Sequence, residues 1–215
     1  MKWSTLDSDE QSQDQWITSY ADLISALLAV LILLASFSKV DIEKYDAVQR
    51  SQTQVESKSL KQIYDELKTI AKAHQLEEKL EMEIGREGLE IKFNAVMLFK
   101  GGDSQLDNRF FGQLKPVLEV VARAGEERYI DVIGHTDDKR YRNPSRRETN
   151  WTLSAKRAAS LHQYLLDQGM PKQGTRLIAY ADTKPDVPID GLGKAAAEAA
   201  RKQNRRVSVV IGLLK

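Results

Sequence analysis

A carboxylate sits inside the longest apolar segment of this chain, and that placement limits what the sequence can become. Leu23–Phe37 (LISALLAVLILLASF) carries no charge, and Asp22 is the only acid in the stretch that begins at Ile17. As a helix, residues 17–37 span ~31 Å at ~1.5 Å per residue, enough to cross a hydrocarbon core of roughly 30 Å. A carboxylate costs about 2.5–3.5 kcal/mol at the bilayer centre. The ten strongly apolar residues between Leu23 and Phe37, at roughly −0.3 to −0.6 kcal/mol each, offset that with about 3–6 kcal/mol. Asp22 also lies towards one end, where its cost is smaller. The segment is therefore expected to insert.

Two other uses of such a run fit less well. A secretory signal needs a basic leader and a small-residue cleavage site. Here Asp7, Asp9, Glu10 and Asp14 face Lys2 alone, and Ala35-Ser36-Phe37 is a poor cleavage signal. A buried core helix is the second, and fifteen unbroken residues lie at the upper edge of what soluble cores show. Counting basic residues across the span (Lys2 against Lys39, Lys44 and Arg50) would by itself put the C-terminal side in the cytoplasm.

The 215 residues leave room for one further ordinary domain. A formal charge of +1 offers no case for a nucleic-acid partner. Without cysteine there are no disulfides or thiolate metal sites. His74, His135 and His162 are scattered without metal-ligand spacing, and no phosphate loop, dinucleotide fingerprint or nucleophile elbow occurs. His135 beside Asp137 has no nucleophile or second carboxylate to work with, so no enzyme is expected and no cofactor or metal.

Patterning divides the chain into a tail (1–16), a membrane helix (17–38), a linker (39–58), an amphipathic helix (59–78) and a domain (79–215). Within the linker, Ile42, Tyr45 and Val48 share a helical stripe, and residues 50–59 are polar. Leu60, Ile63, Tyr64, Leu67, Ile70 and Ala71 recur at helical spacing. Leu80–Ile84 and Leu89–Phe93 alternate about Gly85-Arg86-Glu87-Gly88, which predicts a hairpin. A helix is predicted over 108–123, kinked at Pro116. Strands are predicted at 129–133, 176–180 and 207–213, with helices at 151–168 (inner stripe Ala155, Ala158, Leu161, Leu165) and 195–202. This alternation predicts an α/β fold with one helical face.

The stretch from Ile130 to Ala158 concentrates the chemistry. A strand ends in Gly134-His135-Thr136-Asp137, and a helix carrying Arg157 follows a polar loop. Ligands of α/β folds sit at such strand ends. A carboxylate and a guanidinium suit a zwitterion, Asp137 taking an ammonium and Arg157 a carboxylate. Asp137 as a mere cap and Arg157 as a surface residue fit the pattern equally.

Gly134-His135-Thr136-Asp137, then Asn150 with Leu153-Ser154-x-x-Arg157-Ala158, then Asn204-Arg205-Arg206-Val207 resemble the OmpA-like peptidoglycan-binding domain over roughly residues 80–213. Residues 16–38 (WITSYADLISALLAVLILLASFS) resemble the membrane helix of flagellar stator B-subunits, MotB and its sodium-driven relatives. The resemblance implies a single membrane helix followed by a mixed sheet with helices on one face. It implies that Asp137 and Arg157 hold the diaminopimelate of the wall peptide, with Thr136 and Asn150 supporting. Arg205 or Arg206 either completes that site or braces the sheet. It further implies that Asp22 carries the transported ion, H+ or Na+, and that Ile42, Tyr45 and Val48 form a plug against leak.

By the same resemblance the partners are a ring of A-subunits, a second copy of this chain and the cell wall. The helix lies in the inner membrane with its N-terminus cytoplasmic and the domain periplasmic, against the charge count. Two features depart from the family: the tail is acidic, and the linker is short, the helix from Leu60 to His74 spanning only about 22 Å, which leaves open whether the linker must extend to reach the wall. The same physics would serve a flagellar motor or a gliding or Zorya-type phage-defence motor; a passive wall tether would explain residues 80–213 but leave Asp22 an unexplained cost.

Overall fold

The computed structural model describes residues 7–37, 46–48, 58–77, 79–100, 102–141 and 148–214. The chain divides into two compact units, Met1–Asp41 and Ile42–Lys215.

The first unit is a single helix, α1 (Asp7–Phe37), which begins ten residues before the predicted span. Residues 16–33 are all exposed, including Leu23, Leu27, Leu28 and Ile32. A core helix of a soluble fold would bury one face, and residues 16–33 bury none. So bare an apolar surface fits hydrocarbon better than water. The Trp16 and Tyr20 rings meet at a tilt, centroids 6.3 Å apart, near one end of the span, where amphipathic rings favour a lipid–water boundary.

The second unit is built on a five-stranded mixed sheet. Helix α2 (Leu60–Ala73) comes first, its start closed by a reciprocal cap between Ser59 and Gln62. The hairpin β1 (Leu80–Gly85) and β2 (Gly88–Asn94) follows as predicted. The chain continues through a short helix α3 (Ala95–Leu98), α4 (Asn108–Ala124), β3 (Arg128–His135), α5 (Asn150–Asp167), β4 (Thr175–Ala181), α6 (Lys194–Asn204) and β5 (Arg206–Leu214). The strand order is β1-β2-β5-β3-β4. All neighbours are antiparallel except β3 and β4, which α5 joins as a parallel crossover.

Alternation decides which sheet face is covered. Leu89, Ile91 and Phe93 of β2, Ile130 and Val132 of β3, and Val207, Val209 and Ile211 of β5 are all fully buried. They meet Leu60, Ile63 and Leu67 of α2, Leu114, Val117 and Leu118 of α4, and Leu161 and Leu165 of α5 in one core. Helix α4 runs as a single element through Pro116, because buried residues on both sides of the proline hold it to the same core.

Two expectations change. The inner stripe of α5 is Leu153, Ser154, Arg157, Ala158, Leu161 and Leu165, and Ala155 is exposed. The linker is not wholly a free spacer, because Asp46 is buried against the domain and pairs with the buried Arg128 at 2.7 Å. Of the proposed plug residues, Val48 is exposed, while Ile42 and Tyr45 lie outside the described residues.

Candidate functional site

The four residues of the Gly134–Asp137 motif have different jobs. Gly134 lies against α5, where a Cβ would come within 2.1 Å of the Ser154 carbonyl oxygen. Only a residue without a side chain lets helix and strand approach this closely. The Ser154 hydroxyl completes the junction by accepting from the Ala181 N–H (3.3 Å). His135 turns to the other sheet face, its ring 5.6 Å from that of Tyr180. Thr136 and Asp137 come off the strand end at a cavity of about 220 Å³.

Asp137 is largely buried, and its Oδ2 accepts from Arg205 Nη1 at 2.6 Å. Thr136 is fixed by its N–H to the Ala181 carbonyl (2.8 Å), and its hydroxyl donates to the Asp137 carbonyl (3.1 Å). Asn150 braces the loop. Its side-chain oxygen accepts from the Tyr141 N–H (2.8 Å), and its amide donates to the carbonyls of Asp137 (3.3 Å) and Lys139 (3.2 Å). Both residues line the cavity.

Arg157 enters from the inner face of α5 and is only 5% exposed. Its Nε donates to the Asp103 carbonyl (3.0 Å), and its guanidinium lies 5.4 Å from the centre of the Phe99 ring. Among the described residues no carboxylate comes within 4 Å of it. Burial, opposed by Tyr141 and Asp137 and reinforced by the charge of Arg205, pulls its basicity below that of an ordinary arginine. An arginine nonetheless stays charged, so among the described residues this buried cation has the more distant charges of Asp137 and Asp103 but no carboxylate in direct contact.

Asp137, Thr136, Asn150, Arg157 and Arg205 therefore converge on one cavity. Spacing alone did not reveal the second tier around them. Glu198, Arg201 and Arg205 succeed one another at three and four residues along and just past α6 and form one stripe. Arg201 grips Asp138 with two bonds (2.7 and 3.0 Å), and Lys139 reaches Glu198 at 2.8 Å. The helical spacing of those three charges was the readable sign that they act together.

His135 sets a pH dependence. Burial first, then the nearby charge of Arg206, pushes its pKa down to about 3. Its Nδ1 is buried without a hydrogen-bond partner among the described residues. The unfolded chain takes up that proton near pH 6.5 and the folded domain does not, so this contribution to stability is complete above 6.5 and shrinks as pH falls towards 3. Lowering the pH from 6.5 to 5 is expected to cost about 1.5 kcal/mol through His135 alone. Urea midpoints followed by circular dichroism should show this loss, and His135→Asn should flatten it; an unchanged slope would refute the assignment.

Residues 98–208 match the OmpA family, about half the chain. The chain belongs to the OmpA family. Residues 5–55 match a second description, "Membrane MotB of proton-channel complex MotA/MotB", which makes this a MotB-like protein with an OmpA-like domain. It is 27% identical to the Bacillus subtilis (strain 168) "Uncharacterized protein YtxE", over 94% of this chain and 90% of that one. It is 22% identical to "Motility protein B" of the same organism, over 94% and 92%. The crystal structure of a putative MotB-like protein from Desulfovibrio vulgaris superposes with a TM-score of 0.60 at 22% identity, covering 72% of this chain and 94% of that one. That likeness carries the fold.

Proposed function

We propose that this MotB-like chain is the B-subunit of an ion-driven rotary stator, working as a dimer inside a ring of A-subunits. In this reading α1 crosses the inner membrane once with its N-terminus in the cytoplasm. Asp22 binds and releases the transported cation. The OmpA-like domain fixes the unit to peptidoglycan, so that the ring and not the dimer's anchor moves. Torque on a flagellar rotor is the use that the family's motility names favour.

The observation that carries the anchor is Arg157, buried, with no carboxylate among the described residues in direct contact, lining one cavity with Asp137. Diaminopimelate of a stem peptide presents a carboxylate and an ammonium on one carbon. The carboxylate supplies a counter-ion in direct contact with Arg157, in the bidentate geometry a guanidinium favours. The ammonium goes to Asp137. Neither charge is then left desolvated alone, and that pairing makes both ends of the ligand necessary.

Sedimentation of the detergent-solubilised chain with purified cell wall tests the anchor. Arg157→Ala and Asp137→Ala should each lose roughly 2 kcal/mol or more of wall affinity, on the order of thirtyfold. Circular dichroism should confirm that both variants fold. Parent-like sedimentation of both would overturn the assignment.

A further inference from the structure

We propose that Arg205 is an internal placeholder for the ligand's ammonium: it occupies Asp137 while the site is empty and swings to Glu198 when the wall peptide binds. The proposal rests on the peptidoglycan reading above and adds a determinant of affinity to it. The geometry that points to it is a single nitrogen lying between two acids. Arg205 Nη1 is 2.6 Å from Asp137 Oδ2 and 3.7 Å from Glu198 Oε1. A small rotation of a long side chain exchanges one partner for the other.

The surroundings make the exchange workable in charge. Two guanidiniums, Arg157 and Arg205, flank one carboxylate inside the cavity, and their mutual repulsion acts on Arg157. Glu198 is half exposed and already holds Lys139 at 2.8 Å and Arg201 at 3.7 Å, so it can receive Arg205 without desolvating a new charge. Arg205 follows the end of α6 in a non-helical conformation and is itself partly exposed, so its side chain can move while the helix stays in place. An arriving ammonium takes over the Asp137 bond and the carboxylate goes to Arg157. The site's charge inventory is conserved throughout.

Such a placeholder reduces the apparent affinity by the fraction of molecules in which Asp137 is free. It keeps the carboxylate paired between encounters, and it makes a ligand that lacks the ammonium unable to release Arg205. Titration calorimetry of the full chain in detergent with meso-diaminopimelate tests this. Arg205→Met is expected to bind about fivefold tighter than the parent, because nothing competes for Asp137. Glu198→Gln removes the second resting place and is expected to bind more weakly than the parent. In the Arg205→Met background, Glu198→Gln is expected to change nothing.

Equal or weaker binding by Arg205→Met overturns the placeholder and makes Arg205 a brace or part of the grip. A persisting effect of Glu198→Gln in the double variant overturns it as well. Arg157→Ala separates the two levels. If the parent binds, Arg157→Ala does not, and Arg205→Met is no tighter, the anchor stands and the placeholder falls. A parent that shows no binding takes both down.

Discussion

A chain carrying Asp22→Asn is expected to insert, assemble and sediment with cell wall as the parent does, and to conduct no ions. The amide has nearly the shape of the acid but no charge to offer a cation. Insertion should become easier, since a carboxylate within the span costs more than its neutral amide, by less than the roughly 2.5–3.5 kcal/mol that applies at the bilayer centre. What is lost is the one carboxylate within the exposed apolar run of residues 16–33. Each elementary charge falling through the membrane potential releases about 2.3 kcal/mol per 100 mV. Without a stopping place that energy has nothing in this chain to act on. Proteoliposomes holding this chain with its A-subunit, energised with a proton or a sodium gradient in separate arms, provide the measurement. Flux retained by the variant would end the ion-carrier reading, and the arm that drives the parent identifies the ion.

Replacing Arg128 by alanine is expected to cost about 3–5 kcal/mol of domain stability. Arg128 is 1% exposed and Asp46 2% exposed, and their ion pair measures 2.7 Å. The same guanidinium donates to the carbonyls of Lys58 (2.7 Å) and Gly212 (3.1 Å), and the second oxygen of Asp46 accepts from the Leu60 N–H (3.3 Å). Removing the cation takes the 2.7 Å ion pair away from a buried carboxylate and this donor away from two carbonyls. The cost comes from the desolvated charge that remains more than from the worth of the pair. A double variant, Arg128→Met with Asp46→Leu, should therefore recover most of the loss. Urea unfolding of the detergent-solubilised chain checks both. A single variant as stable as the parent would show that Asp46 is solvated in the folded protein.

The position of this pair bears on the proposed motor. Arg128 opens β3 and the cavity lies just past its other end. At about 3.3 Å per residue that strand is on the order of 25 Å long. In the anchor reading, the chain leaving the membrane is fastened at one end of a central strand and the wall peptide at the other.

The sheet and its helices were legible because their signals are local. Period-two alternation about Gly85–Gly88 and period-three-and-four spacing from Leu60 to Ala71 each need only a few neighbouring residues. The strands at 129–133, 176–180 and 207–213 are observed with their ends shifted by a residue or two. Asp137 and Arg157 were legible as a pair because complementary charges followed a strand end. That Arg157 is buried was not legible. A stripe led by Ala155 left Arg157 open between a surface and a ligand-facing position, whereas in the structure α5 lies close against Gly134 at Ser154 and Leu153, Ser154 and Arg157 face inward.

By itself, the order of residues determined that an acid stands within a membrane-length apolar run and that a strand–loop–helix brings opposite charges near one another. Those properties follow from hydropathy and period, which are summed along the chain. Only the tertiary structure decided that Arg205 already holds Asp137, that Glu198 waits beside it, and that Asp46 meets Arg128 across 82 positions. Such pairings depend on which burial leaves a charge without water, and burial is a property of the packed core.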